Sequence, residues 1–267
     1  MPPGRATLRT ADSVTTLDAS HRGVVLVAGS HGGLVAAWYA ARAGVRAAIL
    51  HDAGIGLDDS GIAGLALLGA IGTAAAAVDG MSARIGDGAD VLRRGRISRV
   101  NPIAARLGVA AGMPCAEAAE LLRDAPAATG APPRHDEGRM LLDAGPPQVW
   151  GCDSIGMTVA EDAGRILVIG SHGGLHGGDP ASALGPAARA AVFHDAGIAA
   201  DESGTTRLPV LAARGIAAAT VAHASARIGD ARSLWATGTL SRVNATAASA
   251  GAAIGMRVPA FAARFAP

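Results

Sequence analysis

Short runs of apolar residues alternate along this chain with stretches in which apolar positions recur every three or four residues, the pattern of strands alternating with helices. Val24–Ala28 carries no polar residue and predicts a buried strand. Leu34–Ala43 then predicts a helix that Gly44 stops. The same reading gives a strand at Arg46–Leu50, a helix at Gly61–Ile71 closed by Gly72, and a strand at Thr73–Val78. A short helix at Gly88–Arg94, ended by Gly95, leads to a fourth strand at Ile97–Val100. Asn101 and Pro102 read as a helix cap followed by a first-turn proline. Such alternation predicts a parallel sheet with right-handed crossovers.

The pattern then repeats. GSHGG at 29–33 recurs at 170–174, an offset of 141, and Asp12-Ser13 recurs with the same offset at Asp153-Ser154. From the next motif on the offset is 143: HDAGI at 51–55 recurs at 194–198 and SARIGD at 82–87 at 225–230. SRVN at 98–101 recurs at 241–244. Two copies of about 100 residues suit two fused α/β units better than a solenoid. The expectation is two tandem, sequence-related, Rossmann-like parallel-sheet units from an internal duplication, at 11–113 and 152–256. Residues 114–151 connect them as a helix near Ala116–Asp124 and a Pro/Gly/Ala-rich loop, and 257–267 form a tail.

This arrangement puts GSHGG, HDAG and SARIGD each after a strand and before a helix. They therefore gather at the carboxyl edge of the sheet, where open α/β sheets bind ligands. Gly32, Gly33, Gly173 and Gly174 serve a tight turn, and their bare amides at a helix start also suit a developing negative charge. Ser30 and Ser171 are candidate nucleophiles, with His31 and His172 beside them. His51 and His194 are candidate acid–base groups, oriented by Asp52 and Asp195. Ser30 is more plausibly served by His51 than by its neighbour His31, because adjacent side chains rarely face each other. Ser82 with Arg84, and Ser225 with Arg227, suit the binding of a carboxylate or phosphate, and a salt bridge to Asp87 or Asp52 is the structural counterpart for Arg84.

Several acids have structural roles that suffice. Asp87, Asp230, Asn101 and Asn244 read as helix caps. Asp58, Asp59, Asp201 and Glu202 read as helix-opening acids favoured by the dipole, with Asp58 and Asp201 able to face the crevice. After the second GSHGG, prolines and glycines between His176 and Ala190 predict a loop or broken helix where the first copy has a helix.

Composition then removes whole classes. All 23 basic residues are arginine, which excludes a Walker-type phosphate loop, a Schiff-base lysine and a Tyr/Lys dehydrogenase pair. A net charge of +1 shows no nucleic-acid footprint. Ile62–Val78 is apolar throughout, but its counterpart carries two arginines and a proline, so no membrane span is expected. Two cysteines, Cys115 and Cys152, make no disulfide framework, and the N-terminal residues show no signal-peptide core; both favour the cytoplasm. No metal-ligand spacing is present, although His31 and His51 with Asp79 or His223 would offer donors for a divalent ion. Self-association through the Ala-rich helices is a further expectation.

The leading expectation is a soluble enzyme, hydrolase or lyase, acting on a small anionic substrate without a cofactor. Its chemistry would be His/Asp acid–base or Ser-nucleophile. The alternatives are a non-catalytic small-ligand binding protein and a dinucleotide-dependent oxidoreductase. For the last, Asp52 stands 19 residues after Gly33, where such folds bind ribose, but Gly29, Gly32 and Gly33 fit G-x-G-x-x-G poorly.

Overall fold

The computed structural model describes residues 5–132 and 138–266. It is a mixed α/β protein with one five-stranded and one six-stranded sheet, in which parallel pairs predominate. The chain divides into two compact units. Of the described residues, the first unit takes those within Met1–Gly54, Ser60–His135 and Ala199–Asp201. The second takes those within Ile55–Asp59, Asp136–Ile198 and Glu202–Pro267.

In the first unit, strands β1 (Leu8–Ala11), β2 (Val25–His31), β3 (Ala47–His51) and β4 (Ala74–Val78) lie side by side and parallel. Strands β2, β3 and β4 are buried along their whole length, as the apolar runs at 25–28, 47–50 and 74–78 require for a sheet covered on both faces. Alternate side chains divide between two cores. Leu26, Ala48, Leu50 and Ala75 meet helices α1 (Leu34–Ala43) and α2 (Gly64–Ala70). Val25, Val27, Ile49 and Ala76 meet α3 (Gly88–Arg94), α4 (Pro102–Arg106) and α5 (Cys115–Leu122) on the other face.

The fifth strand, β5 (Ile97–Val100), runs antiparallel to β4, where an unbroken parallel sheet was expected. The reason lies at the carboxyl edge. The Asp79 N–H donates to the Arg96 carbonyl at 2.8 Å, so the residue before β5 is tied to the residue after β4. The seven-residue α3 does not carry the chain back to the opposite edge, and β5 must run the other way.

The second sheet has the order β11-β10-β9-β8-β7-β6. Its strands are β6 (Arg139–Asp143), β7 (Val149–Cys152), β8 (Ile166–His172), β9 (Ala190–His194), β10 (Ala217–Val221) and β11 (Leu240–Val243). From β7 to β11 the neighbour order and strand senses are those of β1 to β5: three parallel pairs, then one antiparallel. One core packs against α7 (Ala231–Thr237), α8 (Ala245–Ser249) and α9 (Val258–Ala263). The other packs against α6 (Arg207–Ala213) and an irregular segment around Leu175, Leu184 and Ala188.

Three strands escaped the apolar pattern. β1 and β6 are short, partly exposed edge strands, and β7 lies with β6 in the stretch expected to be only helix and loop. Among the described residues, no helix is long and apolar enough to cross a membrane.

Candidate functional site

The motifs do meet at the strand ends. His31 pairs in register with His51 across β2 and β3, and His172 with His194 across β8 and β9. What their heteroatoms do there differs from the expectation.

In GSHGG the amides are already used. The Gly32 N–H donates to the His51 carbonyl at 2.7 Å, and the Gly33 N–H to His31 Nδ1 at 3.1 Å. Gly173 and Gly174 do the same with the His194 carbonyl (2.8 Å) and His172 Nδ1 (3.2 Å). The glycines are required by close approach: a Cβ on Gly32 would lie 2.8 Å from the Gly61 carbonyl, and one on Gly33 2.7 Å from that of Ser60. These amides therefore offer no cradle for an oxyanion. The serines are engaged as well. Ser30 Oγ accepts the Val14 N–H at 3.0 Å and Ser171 Oγ the Ile155 N–H at 3.2 Å, each holding the turn that precedes the strand.

The HDAG histidines are completely buried. His51 Nδ1 accepts the Ala53 N–H at 3.0 Å while Nε2 donates to the Ala83 carbonyl at 3.1 Å. His194 repeats this with Ala196 and Ala226, at 3.0 and 3.1 Å. Both nitrogens of each ring are thus committed to backbone, which fixes a neutral tautomer. Burial pushes both histidines below their ordinary pKa, His194 to about 4. Asp52 Oδ1 accepts from Gly54 and Gly80, at 3.0 and 2.9 Å, and Asp195 Oδ1 from Gly197 and His223, at 2.9 and 3.0 Å. Asp52 is 4 % exposed, and its Oδ1 ties the loops after β3 and β4 together.

These histidines and aspartates brace an unusual turn. Every non-glycine residue with positive φ among the described residues lies in the two loops after β3 and β9. They are Ala53, Ile55, Asp58 and Asp59 in one, and Ala196, Ile198, Ala199, Asp201 and Glu202 in the other, with φ between 51° and 67°. A β-branched residue in this region is strained and persists only where its surroundings over-determine it. Asp58, Asp59, Asp201 and Glu202 accordingly lie in short 3-10 turns and do not open α2 and α6, which begin several residues later.

SARIGD supplies further braces and one open chemistry. Ser82 Oγ donates to the Asp79 carbonyl (2.6 Å) and accepts the Arg96 N–H (2.9 Å); Ser225 does likewise with Ala222 and Thr239. Asp87 and Asp230 cap α3 and α7 as expected, and Asn101 and Asn244 cap α4 and α8. The arginines are half-exposed. In the first unit Arg84 Nε lies 2.9 Å from Asp201 Oδ2, and Arg94 reaches the same oxygen at 2.7 Å. In the second, Arg227 holds Asp58 at 2.9 Å and Asp230 at 3.2 Å. The salt bridge weighed for Arg84 thus exists, with Asp201 in place of Asp87 or Asp52.

Arg94 and Asp90 were not singled out in the sequence, although their i,i+4 spacing on a helix was a readable signal. Asp90 is buried at the root of the arginine cluster, and its carboxylate accepts the Arg84 N–H at 2.9 Å and Arg93 at 2.6 Å. Among the described residues, no group of three or more His, Cys, Asp or Glu side chains is placed to hold a metal ion.

In the second unit the segment after GSHGG is irregular, as expected, and Arg207 explains how it is held. Its fully buried guanidinium donates to the carbonyls of Ser182 and Ala183 and to His176 Nε2, the last at 3.3 Å. Burial lowers its pKa to about 9 and, with Arg207 alongside, that of His176 to about 4. The first unit has Gly64 at the matching place, packed against Ala37 of α1.

Taken by fold and site, this is a two-sheet α/β protein with braced loops and exposed arginines at its strand ends. Comparison with protein-family models, curated proteins and solved structures finds no match for the chain.

Proposed function

We propose that this protein recognises a small molecule bearing a carboxylate or phosphate, with the SARIGD arginines Arg84 and Arg227 as the groups that hold it. One observation carries the reading: each arginine already grips a carboxylate, Asp201 Oδ2 and Asp58 Oδ2 respectively, both at 2.9 Å. A planar guanidinium is the side chain suited to such oxyanions.

Binding without chemistry is favoured over a hydrolase or lyase, because the Ser30 and Ser171 oxygens and both ring nitrogens of His51 and His194 are bonded to backbone. The two units, at 11–113 and 152–256, are proposed to be copies of one duplicated Rossmann-like ancestor. The matched order and sense of β1–β5 and β7–β11 support this. A cytoplasmic setting and self-association through the Ala-rich helices belong to the same proposal. The buried thiols of Cys115 and Cys152 suit a reducing compartment.

Calorimetric titration with inorganic phosphate and with small dicarboxylates tests the reading. Saturable binding that Arg84→Ala and Arg227→Ala together abolish is expected. Binding that survives the double substitution, or no binding of any of these anions, overturns it.

A further inference from the structure

We propose that the Arg84–Arg94 pair of the first unit is an oxyanion site occupied from within the chain by Asp201, and that an external carboxylate or phosphate competes with Asp201 for it. This rests on the reading of Arg84 as an anion-holding group. It adds a location, a second binding residue and a built-in competitor.

The geometry is that of a bound anion. Two guanidinium groups from different elements, Arg84 in the loop after β4 and Arg94 on the last turn of α3, converge on the single oxygen Asp201 Oδ2. Both arginines also have an anchor other than Asp201: Arg84 through its backbone, Arg94 through its side chain. Buried Asp90, whose side chain is 0 % exposed, fixes the Arg84 backbone N–H and stands 3.6 Å from Arg94 at i,i+4. The buried carboxylate therefore keeps the Arg84 backbone and the Arg94 side chain in place from beneath when the upper carboxylate leaves.

Asp201 itself is poised to leave. Its side chain is 45 % exposed, beside arginines that are 45 % and 37 % exposed, and ion pairs this open to solvent are screened and weak. A phosphate offers three oxygens to two guanidiniums where Asp201 uses one.

The second unit lacks the fork. Thr237 stands where Arg94 stands in the first copy, Ser233 replaces Asp90, and Arg227 is partly satisfied by Asp230 in its own turn. The two-arginine site is therefore a feature of the first unit.

Removing the competitor should strengthen binding, whereas removing an ordinary structural ion pair should not. Phosphate affinity is measured by titration calorimetry for the wild type, Asp201→Asn and Asp201→Gly; glycine adopts the positive φ without strain and so protects the fold. Both variants are expected to bind phosphate about tenfold tighter than wild type, as a site freed from an occupying group does. Arg84→Ala or Arg94→Ala in the Asp201→Asn background is expected to abolish the gain. Glu117→Gln, which removes an exposed negative charge elsewhere in the first unit, is expected to leave affinity unchanged. Succinate in place of phosphate shows whether a carboxylate is taken as well.

An Asp201→Gly affinity no better than wild type, or a gain matched by Glu117→Gln, overturns the proposal. If wild type binds phosphate through Arg84 and the Asp201 variants gain nothing, the competitor falls and the anion-binding function stands. If neither wild type nor the Asp201 variants bind either anion, both fall.

Discussion

Truncating His51 would strand two buried backbone groups at once, the Ala53 N–H and the Ala83 carbonyl. An unsatisfied buried polar group costs about 1–3 kcal/mol, and the lost ring adds a cavity. His51→Ala is therefore expected to lower unfolding stability by roughly 2–4 kcal/mol, read as a shift in denaturant midpoint, and His194→Ala by a similar amount. A change below about 0.5 kcal/mol, the range of an ordinary surface substitution, would refute the bracing role. The sequence identified these histidines correctly as unusual, because two of them recur directly after strands. It assigned them chemistry because a residue string does not show whether a ring nitrogen faces solvent or a carbonyl thirty residues away. The same ambiguity explains Ser30, Ser82 and Gly32, which bond Val14, Arg96 and His51 backbone groups that only the folded chain brings near. Arg84 and Arg227 were legible for a different reason: a guanidinium with no buried partner stays at the surface, where its chemistry remains open.

At the level of elements, two solutions cover the same face of a sheet. In the first unit α1 and α2 pack closely, and a Cβ on Gly64 would meet Ala37 Cβ and come within 2.6 Å of the Gly33 carbonyl. Gly64→Ala is expected to destabilise by about 1–3 kcal/mol through overpacking, seen as a lower Tm by circular dichroism. In the second unit Arg207 fills the corresponding place, and its N–H groups hold the segment that replaces a helix. Arg207→Met relieves a buried charge but leaves the Ser182 and Ala183 carbonyls without donors. A net loss of roughly 2–4 kcal/mol is expected, with faster limited proteolysis between residues 175 and 188. An unchanged cleavage rate there would mean that the arginine does not hold the segment. α1 and α3 were legible to the residue, since apolar periodicity and a stopping glycine mark both ends. β1, β6 and β7 were not, because a strand of four or five residues at or near a sheet edge has too few buried positions to impose a period. The antiparallel sense of β5 depends on a bond between Asp79 and Arg96 that no local pattern announces.

For the molecule as a whole, the buried histidines couple folding to pH. His194 and His176 each have a folded pKa of about 4 against an ordinary value of 6.5, both through burial first, and His51 is shifted the same way. Above pH 6.5 these rings are neutral whether the chain is folded or not, and their contribution to stability is fully present. As pH falls below 6.5 the unfolded chain takes up protons that the folded chain refuses. Stability must then decline, and it continues to do so until pH 4, where the folded rings protonate too. The slope approaches about 1.4 kcal/mol per pH unit for each such histidine. The carboxylates of Asp195 and Asp201, held below their ordinary value of 3.8, add their own loss only at still lower pH. The window from pH 6.5 to 4.5 therefore isolates the histidines. Denaturant midpoints across that window are expected to fall steadily, and His176→Asn to make the fall shallower, since one of the titrating rings is gone. A stability that is flat or rising with acidification in this range would show that the rings are solvated, and with it would fail the bracing role assigned to His51 and His194.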